Sequence, residues 1–310
     1  MDVVLGITAP IFMLILLGYV GIRAAILPKE ALPALSKFVL FFALPSVMVT
    51  KISAMDMNVI FNASFVGIYA LGGLLTFALT VGATRLFLKE TLPTSSVTGL
   101  GAMMPNSSFI GFPILLQFLD GNAAQAFAMV LMVENIVFLP LGLILIEMAS
   151  NQGGGVNKAI FIKVLKRITT NPIILSVFAG VVMSSTGLHF PAFIGSSLTL
   201  LSQAAAPTAL FVIGGSLVGV VMHGSRLRIG LVALMKLICF PLVVFTCVLL
   251  TPQLAPELGV ALVVFSAMPM FSIYPIIGGE YGQRGYCASS LLVTTVASFF
   301  SISALLAILV

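Results

Sequence analysis

The sequence predicts an all-α membrane protein of ten transmembrane helices, arranged as two inverted five-helix repeats in which helices 4 and 9 are broken and cross. Composition, the run pattern of apolar residues and an internal repeat carry that expectation. Of 310 residues, 60% are apolar and 7% charged, with 28 Gly, 16 Pro, no Trp and a mean hydropathy of +1.22. A soluble domain carries about a quarter of its residues as Asp, Glu, Lys and Arg, so this chain has too little polar surface to cover a water-facing globule. That excludes a soluble enzyme and a disordered chain. The net charge of +5 comes from scattered positions, which also excludes a nucleic-acid binder.

A spanning helix needs about 20 mostly apolar residues. Dividing the chain at charged and turn-forming breaks leaves candidate spans at 4–22, 32–50, 58–84, 93–119, 123–148, 171–188, 193–221, 229–251, 256–280 and 287–309. The N-terminus, Met1-Asp2-Val3, lacks the basic segment of a cleaved signal, so the first run reads as a retained span. Spans four and nine contain internal breaks at Pro, Asn, Ser and Gly. Cys239, Cys247 and Cys287 sit in apolar runs with no metal-ligand spacing and read as apolar packing residues.

Orientation follows from the basic residues, because short cytoplasmic loops retain Lys and Arg. One set of loops holds Arg23, Lys29, Arg85, Lys89, Lys158, Lys163, Lys166, Arg167, Arg226, Arg228 and Arg284, and the other set only Lys51. Both termini are therefore expected on the non-cytoplasmic side. Lys37 and Lys236 fall inside spans, near enough to a cytoplasmic end for snorkelling. The connection 151–170 opens with Asn151-Gln152-Gly153-Gly154-Gly155, and its basic continuation over 156–167 reads as an amphipathic helix on the inner leaflet.

That linker divides the chain into 1–150 and 171–310. Sliding the chain on itself so that Pro10 falls on Pro172 also sets Pro45 on Pro207, Pro113 on Pro275 and Gly18 on Gly180. For 16 prolines in 310 residues, chance gives roughly 0.4 such proline pairs. Each half has an odd number of spans, so the second enters the membrane from the opposite side, the inverted architecture of secondary transporters.

Span four carries Met104-Pro105-Asn106-Ser107-Ser108-Phe109-Ile110-Gly111-Phe112-Pro113, and span nine carries Met268-Pro269-Met270-Phe271-Ser272-Ile273-Tyr274-Pro275. A proline within a span removes a backbone donor and clashes with the preceding turn, so both spans should break near the midplane. Corresponding breaks in inverted halves point to a transporter's binding site, where half-helix N-termini offer N–H groups to an anion. The candidate substrate residues are Pro105, Asn106, Ser107, Ser108, Phe109, Pro269, Met270, Phe271, Ser272 and Tyr274. The aromatic members would be apolar walls, with ordinary packing the alternative for Phe109 and Phe271.

Glu134, followed by Asn135, lies deep in span five, and an ionisable group at that depth is expensive unless it works. It is the candidate proton site, with Lys236 its cationic complement. Thr294 and Thr295 fall at about the repeat positions of Glu134 and Asn135. Asn62, Gln117 and Gln203 read as interhelical glue or ligands. His189 and His223 lie in opposite loops, so no metal centre and no cofactor is expected beyond H+ or Na+ as coupling ion. The motifs of an intramembrane protease are absent, and no enzyme is expected. A channel or a substrate-sensing membrane protein on the same fold stays open as an alternative.

Three segments together resemble the auxin efflux carrier family in its bacterial branch. They are Ala9-Pro10-Ile11-Phe12 through Gly18-Tyr19, Phe42-Ala43-Leu44-Pro45, and Asn106-Ser107-Ser108-Phe109-Ile110-Gly111-Phe112-Pro113. The resemblance covers the whole chain and implies a place in the bile acid/auxin carrier superfamily, a scaffold and a transport domain, and helices 4 and 9 crossing at prolines. It implies a secondary transporter of small organic anions such as malonate or auxin-like acids, working by alternating access at that crossover. Pro105, Asn106 and Pro269 match the family's crossover residues, whereas Met270 stands where plant carriers have Asn. The short linker fits a bacterial inner-membrane protein. The partners implied are the anion and the lipid bilayer, with a homodimer left open.

Overall fold

The computed structural model describes residues 2–55, 61–117, 119, 122–150, 162, 166, 169–219 and 222–309. The basic segment expected as an interfacial helix lies, apart from Ile162 and Lys166, outside the described residues. In chain order the helices are α1 (Asp2–Arg23), α2 (Lys29–Ser53), α3 (Ala63–Phe87), α4 (Leu92–Met103), α5 (Phe112–Leu115) and α6 (Asn122–Ser150). They continue as α7 (Pro172–Thr186), α8 (Ala192–Ser216), α9 (Arg226–Leu249), α10 (Pro256–Ala267), α11 (Tyr274–Glu280) and α12 (Arg284–Leu309). Among the described residues the one departure from helix and loop is an isolated antiparallel bridge between Pro105 and Met270.

Six of these helices, α2, α3, α6, α8, α9 and α12, are long and apolar enough to cross a bilayer. The described residues are thus all-helical, as expected of a membrane protein. The runs predicted at 93–119 and 256–280 are each divided, into α4 and α5 and into α10 and α11, as their internal prolines require. Local chemistry sets the helix ends. Asn171 caps α7, its Oδ1 accepting from the amides of Ile173 at 3.0 Å and Ile174 at 3.3 Å, ahead of Pro172 in the first turn. Gly187, at φ 68°, closes the same helix in the left-handed conformation that glycine adopts without strain.

Prolines inside helices leave a second signature. Wide π-turns occur at Val39–Ala43 in α2, Ser107–Gly111 ahead of α5, Glu134–Phe138 in α6 and Met235–Cys239 in α9. Each is followed at its second residue by proline, namely Pro45, Pro113, Pro140 and Pro241. A proline ring cannot fit against the carbonyl four residues earlier, and one extra residue in the preceding turn relieves that clash.

The chain forms two compact units, each drawn from several segments. The first comprises Met1–Ala63, Ser108–Leu131 and Thr169–Gly219, and the second Ser64–Ser107, Met132–Ile168 and Val220–Val310. Within the first, α1 and α8 approach backbone to backbone. A β-carbon on Gly18 would collide with the Phe211 carbonyl, and one on Gly214 with the Ile15 carbonyl. Small residues permit this approach in membranes, where dispersion forces and not water exclusion hold helices together. Within the second unit, Phe138 from α6 fills the space beside Gly73 of α3, and the Tyr274 ring fills that beside Gly101 of α4.

The α1–α8 seam yields a prediction. Because a methyl at Gly214 meets backbone that cannot rotate away, Gly214→Ala should cost about 3 kcal/mol or more, whereas Gly67→Ala, with open space around it, should be silent. Thermal melting of the two variants in detergent, followed by circular dichroism, checks this. Equal melting temperatures would disprove the close approach.

Candidate functional site

Broken ends of α4 and α10 build the site. Beyond Met103 the backbone turns extended at Met104 (φ −94°, ψ 109°), and beyond Ala267 it does so at Met268 (φ −64°, ψ 149°). Pro105 and Pro269 supply no N–H, so neither helix can continue, and the freed groups need partners where water is absent. They find them in each other. The Asn106 amide donates to the Pro269 carbonyl at 2.7 Å, and the Phe271 amide to the Met104 carbonyl at 3.2 Å. Pro105 and Met270 face one another in the antiparallel bridge between them.

At this junction the Asn106 side chain, 3% exposed, donates through Nδ2 to Ser272 Oγ at 3.0 Å, and Ser272 is itself exposed. The next residue, Ser107, is buried and donates to Glu134 Oε1 at 2.5 Å. The same oxygen accepts from Tyr69 Oη at 3.0 Å. Glu134 is only 4% exposed, and two donors on one carboxylate oxygen replace the water it has lost. Tyr69 is held by Phe138 of α6 and Phe240 of α9, with ring centroids 5.3 and 6.0 Å away.

Lys236 faces the same interior. It is fully buried, donates from Nζ to the Ser266 carbonyl at 2.9 Å, and lies 4.4 Å from the centre of the Phe240 ring. Phe240 stacks in turn on Tyr69, the residue that bonds Glu134. Snorkelling does not describe Lys236, because the side chain runs to a helix end inside the protein. Ser107, Glu134 and Lys236 all sit on π-turns set by the prolines that follow them.

Of the residues expected from sequence, Pro105, Asn106, Ser107, Pro269, Met270, Phe271 and Ser272 meet at the junction, with Glu134 and Lys236 behind it, all in the second unit. Tyr274 is fully buried there too, its hydroxyl donating to the Val97 carbonyl at 3.0 Å and its ring 5.8 Å from that of Phe271. It ties α11 to α4. Ser108, half-buried, and Phe109, 8% exposed, begin the stretch belonging to the first unit. Asn135 is half-buried beside Glu134 on its π-turn. The hydroxyls of Thr294 and Thr295 bond to carbonyls of their own helix, those of Ser290 and Leu291.

Sequence reasoning did not find Tyr69, the Ser266 carbonyl or Arg228. Arg228, expected as a loop cation, is buried in the first turn of α9. Its Nε donates to Thr98 Oγ1 at 2.9 Å, and its Nη2 to the Thr94 carbonyl at 3.0 Å and to the Gln283 side chain. The guanidinium stacks 3.6 Å above the Tyr286 ring. These bonds join α4, α9 and α12.

Comparison with known proteins adds an independent finding. The family model described as "Membrane transport protein" matches residues 3–306. The Rhizobium meliloti (strain 1021) protein named "Putative malonate transporter" is 27% identical over 305 residues, covering 97% of this chain and 94% of its own length. "Uncharacterized transporter YfdV" of Escherichia coli (strain K12) is 25% identical over 243 residues, covering 77% of this chain and 76% of its own. A protein of Methanothermobacter thermautotrophicus named "Uncharacterized transporter" is 24% identical over 237 residues, covering 75% and 74%. A transport-family match along almost the whole chain, on a helical fold whose two broken helices pair at Pro105 and Met270, establishes that the chain belongs to the membrane transport protein family, that of the auxin efflux carriers.

Proposed function

We propose that this transporter carries small carboxylates of the malonate class by proton-linked symport, through alternating access, with the substrate bound at the junction of the two broken helices. The paired break itself carries the reading. Met104–Asn106 and Pro269–Phe271 interrupt two helices side by side, with an amide and an exposed hydroxyl at their edge and an ionisable pair behind them. Broken helices facing one another within a membrane are where secondary transporters bind substrate and coupling ion. The similarity to a protein named for malonate supports the choice of dicarboxylate.

On this reading the chain is two inverted five-span repeats, 1–150 and 171–310, joined by the linker 151–170. It lies in the inner membrane with both termini outside the cytoplasm.

The charge logic runs through Glu134 and Lys236. With Glu134 ionised, the pair is neutral and its carboxylate repels an incoming anion. With Glu134 protonated, Lys236 is left uncompensated in a medium of low dielectric, and one carboxylate of the bound substrate offsets its charge. Proton and anion therefore favour one another's binding, which is the thermodynamic content of symport. Ser107 links the two events, because it follows the substrate residue Asn106 and bonds the proton-carrying carboxylate.

Asn106→Ala removes a hydrogen bond to a charged ligand, worth about 1.5–3 kcal/mol. Its affinity for labelled malonate, measured by equilibrium binding to purified protein, should fall roughly 10- to 100-fold. Unchanged affinity would remove Asn106 from the site. Uptake by wild-type proteoliposomes should rise as the external pH falls, because acid fills the Glu134 site. Glu134→Gln should flatten that dependence, and a variant that keeps it would place the proton elsewhere.

A further inference from the structure

The α10 helix ends at Ala267 because Pro269 cannot extend it; the Met268 amide still bonds the Phe265 carbonyl, and the next carbonyl, that of Ser266, lies at the negative end of the helix dipole. In carriers with interrupted helices, such half-helix C-terminal carbonyls are ligands of the coupling metal cation. Here the Ser266 carbonyl accepts from Lys236 Nζ at 2.9 Å. The Phe240 ring presents its face to that ammonium at 4.4 Å, and Tyr69, whose ring stacks on Phe240, bonds the carboxylate of Glu134 from α6. A carbonyl and an aromatic face on one positive charge, with a carboxylate one side chain further off, are the surroundings of a small-cation site, and the charge in it is covalently attached to α9.

Its placement is built. Lys236 is fully buried on the π-turn Met235–Cys239, which Pro241 sets by excluding a regular α-turn. The ammonium touches α10 through the Ser266 carbonyl and α9 through the Phe240 ring, and Phe240 in turn stacks on Tyr69 of α3, which bonds Glu134 of α6.

We infer that Lys236 is a tethered substitute for a coupling metal ion, so that this carrier is independent of sodium and the proton alone remains to couple transport. The inference rests on the reading of the chain as an ion-coupled carrier and specifies its ion. It has a further consequence. Shortening Lys236 removes the built-in cation while leaving Glu134 and the Ser266 carbonyl in place, and the vacated space is then a site for a monovalent metal ion.

The test is melting temperature of the purified, detergent-solubilised protein in NaCl, KCl or choline chloride at equal ionic strength, a readout that needs no substrate. Wild type should melt at the same temperature in all three. Lys236→Ala should melt lower in choline and regain about 5 °C specifically in saturating sodium. The double variant Lys236→Ala with Glu134→Gln should lose that gain, having lost the charged ligand. Lys236→Met gives the same comparison should the alanine variant not survive extraction. A saturable, sodium-specific rise in wild type would overturn the inference, as would equal responses of Lys236→Ala to all three cations, or a sodium gain that survives loss of Glu134. Because no transport is measured, these results stand whether or not malonate is the substrate.

Discussion

Proline has no amide hydrogen, and a bilayer has no water to take its place. That pair of facts governs this protein. At Pro105 and Pro269 two helices must stop within the apolar thickness, and each stop leaves carbonyls and amides that cannot be abandoned. The economical solution is for the two broken ends to satisfy one another through a fragment of antiparallel pairing. Once they do, α4, α10 and α11 are fixed in register, and Asn106, Ser107 and Ser272 are fixed with them. A polar junction that would otherwise be a defect thus holds its polar groups in fixed partnerships.

The same residue type acts a second time from the turn that follows. Pro140 and Pro241 widen the turns that carry Glu134 and Lys236, and a widened turn re-aims the side chains on it. Two charges buried this deeply are costly singly and tolerable together, and removal of one partner from such a pair costs about 3–5 kcal/mol. The prolines therefore place two buried ionisable side chains on widened turns of α6 and α9. Arg228 does comparable work at the opening turn of α9, where a stacked guanidinium with neutral partners joins three helices.

Much of this was legible in the residues themselves. The interruptions at 104–106 and 268–273 follow from proline and glycine within apolar runs, and Glu134 stands out because a carboxylate in such a run is rare. Composition was enough to place the chain in a membrane. What local sequence does not encode is partnership between residues far apart in the chain. Nothing around Tyr69 distinguishes it from a packing tyrosine, a backbone carbonyl such as that of Ser266 has no residue signature, and Arg228 reads as a loop cation because its partners lie on other helices. The π-turns were within reach, since each precedes a proline at a constant spacing, but the pattern acquires meaning only when the charged residues are seen on it.

The Tyr69–Glu134 bond has an optical consequence. The chain contains no Trp and 5 Tyr, so its near-ultraviolet absorption and emission belong to tyrosine, over the weak background of 24 Phe. Tyr19 alone lies in the first unit, while Tyr69, Tyr274, Tyr281 and Tyr286 lie in the second. One of these four has its hydroxyl on the carboxylate at the centre of the site, and a phenol's emission depends on whether its acceptor is ionised. The protein thus contains its own chromophore at the junction, and unlabelled material reports the state of its core through intrinsic light alone.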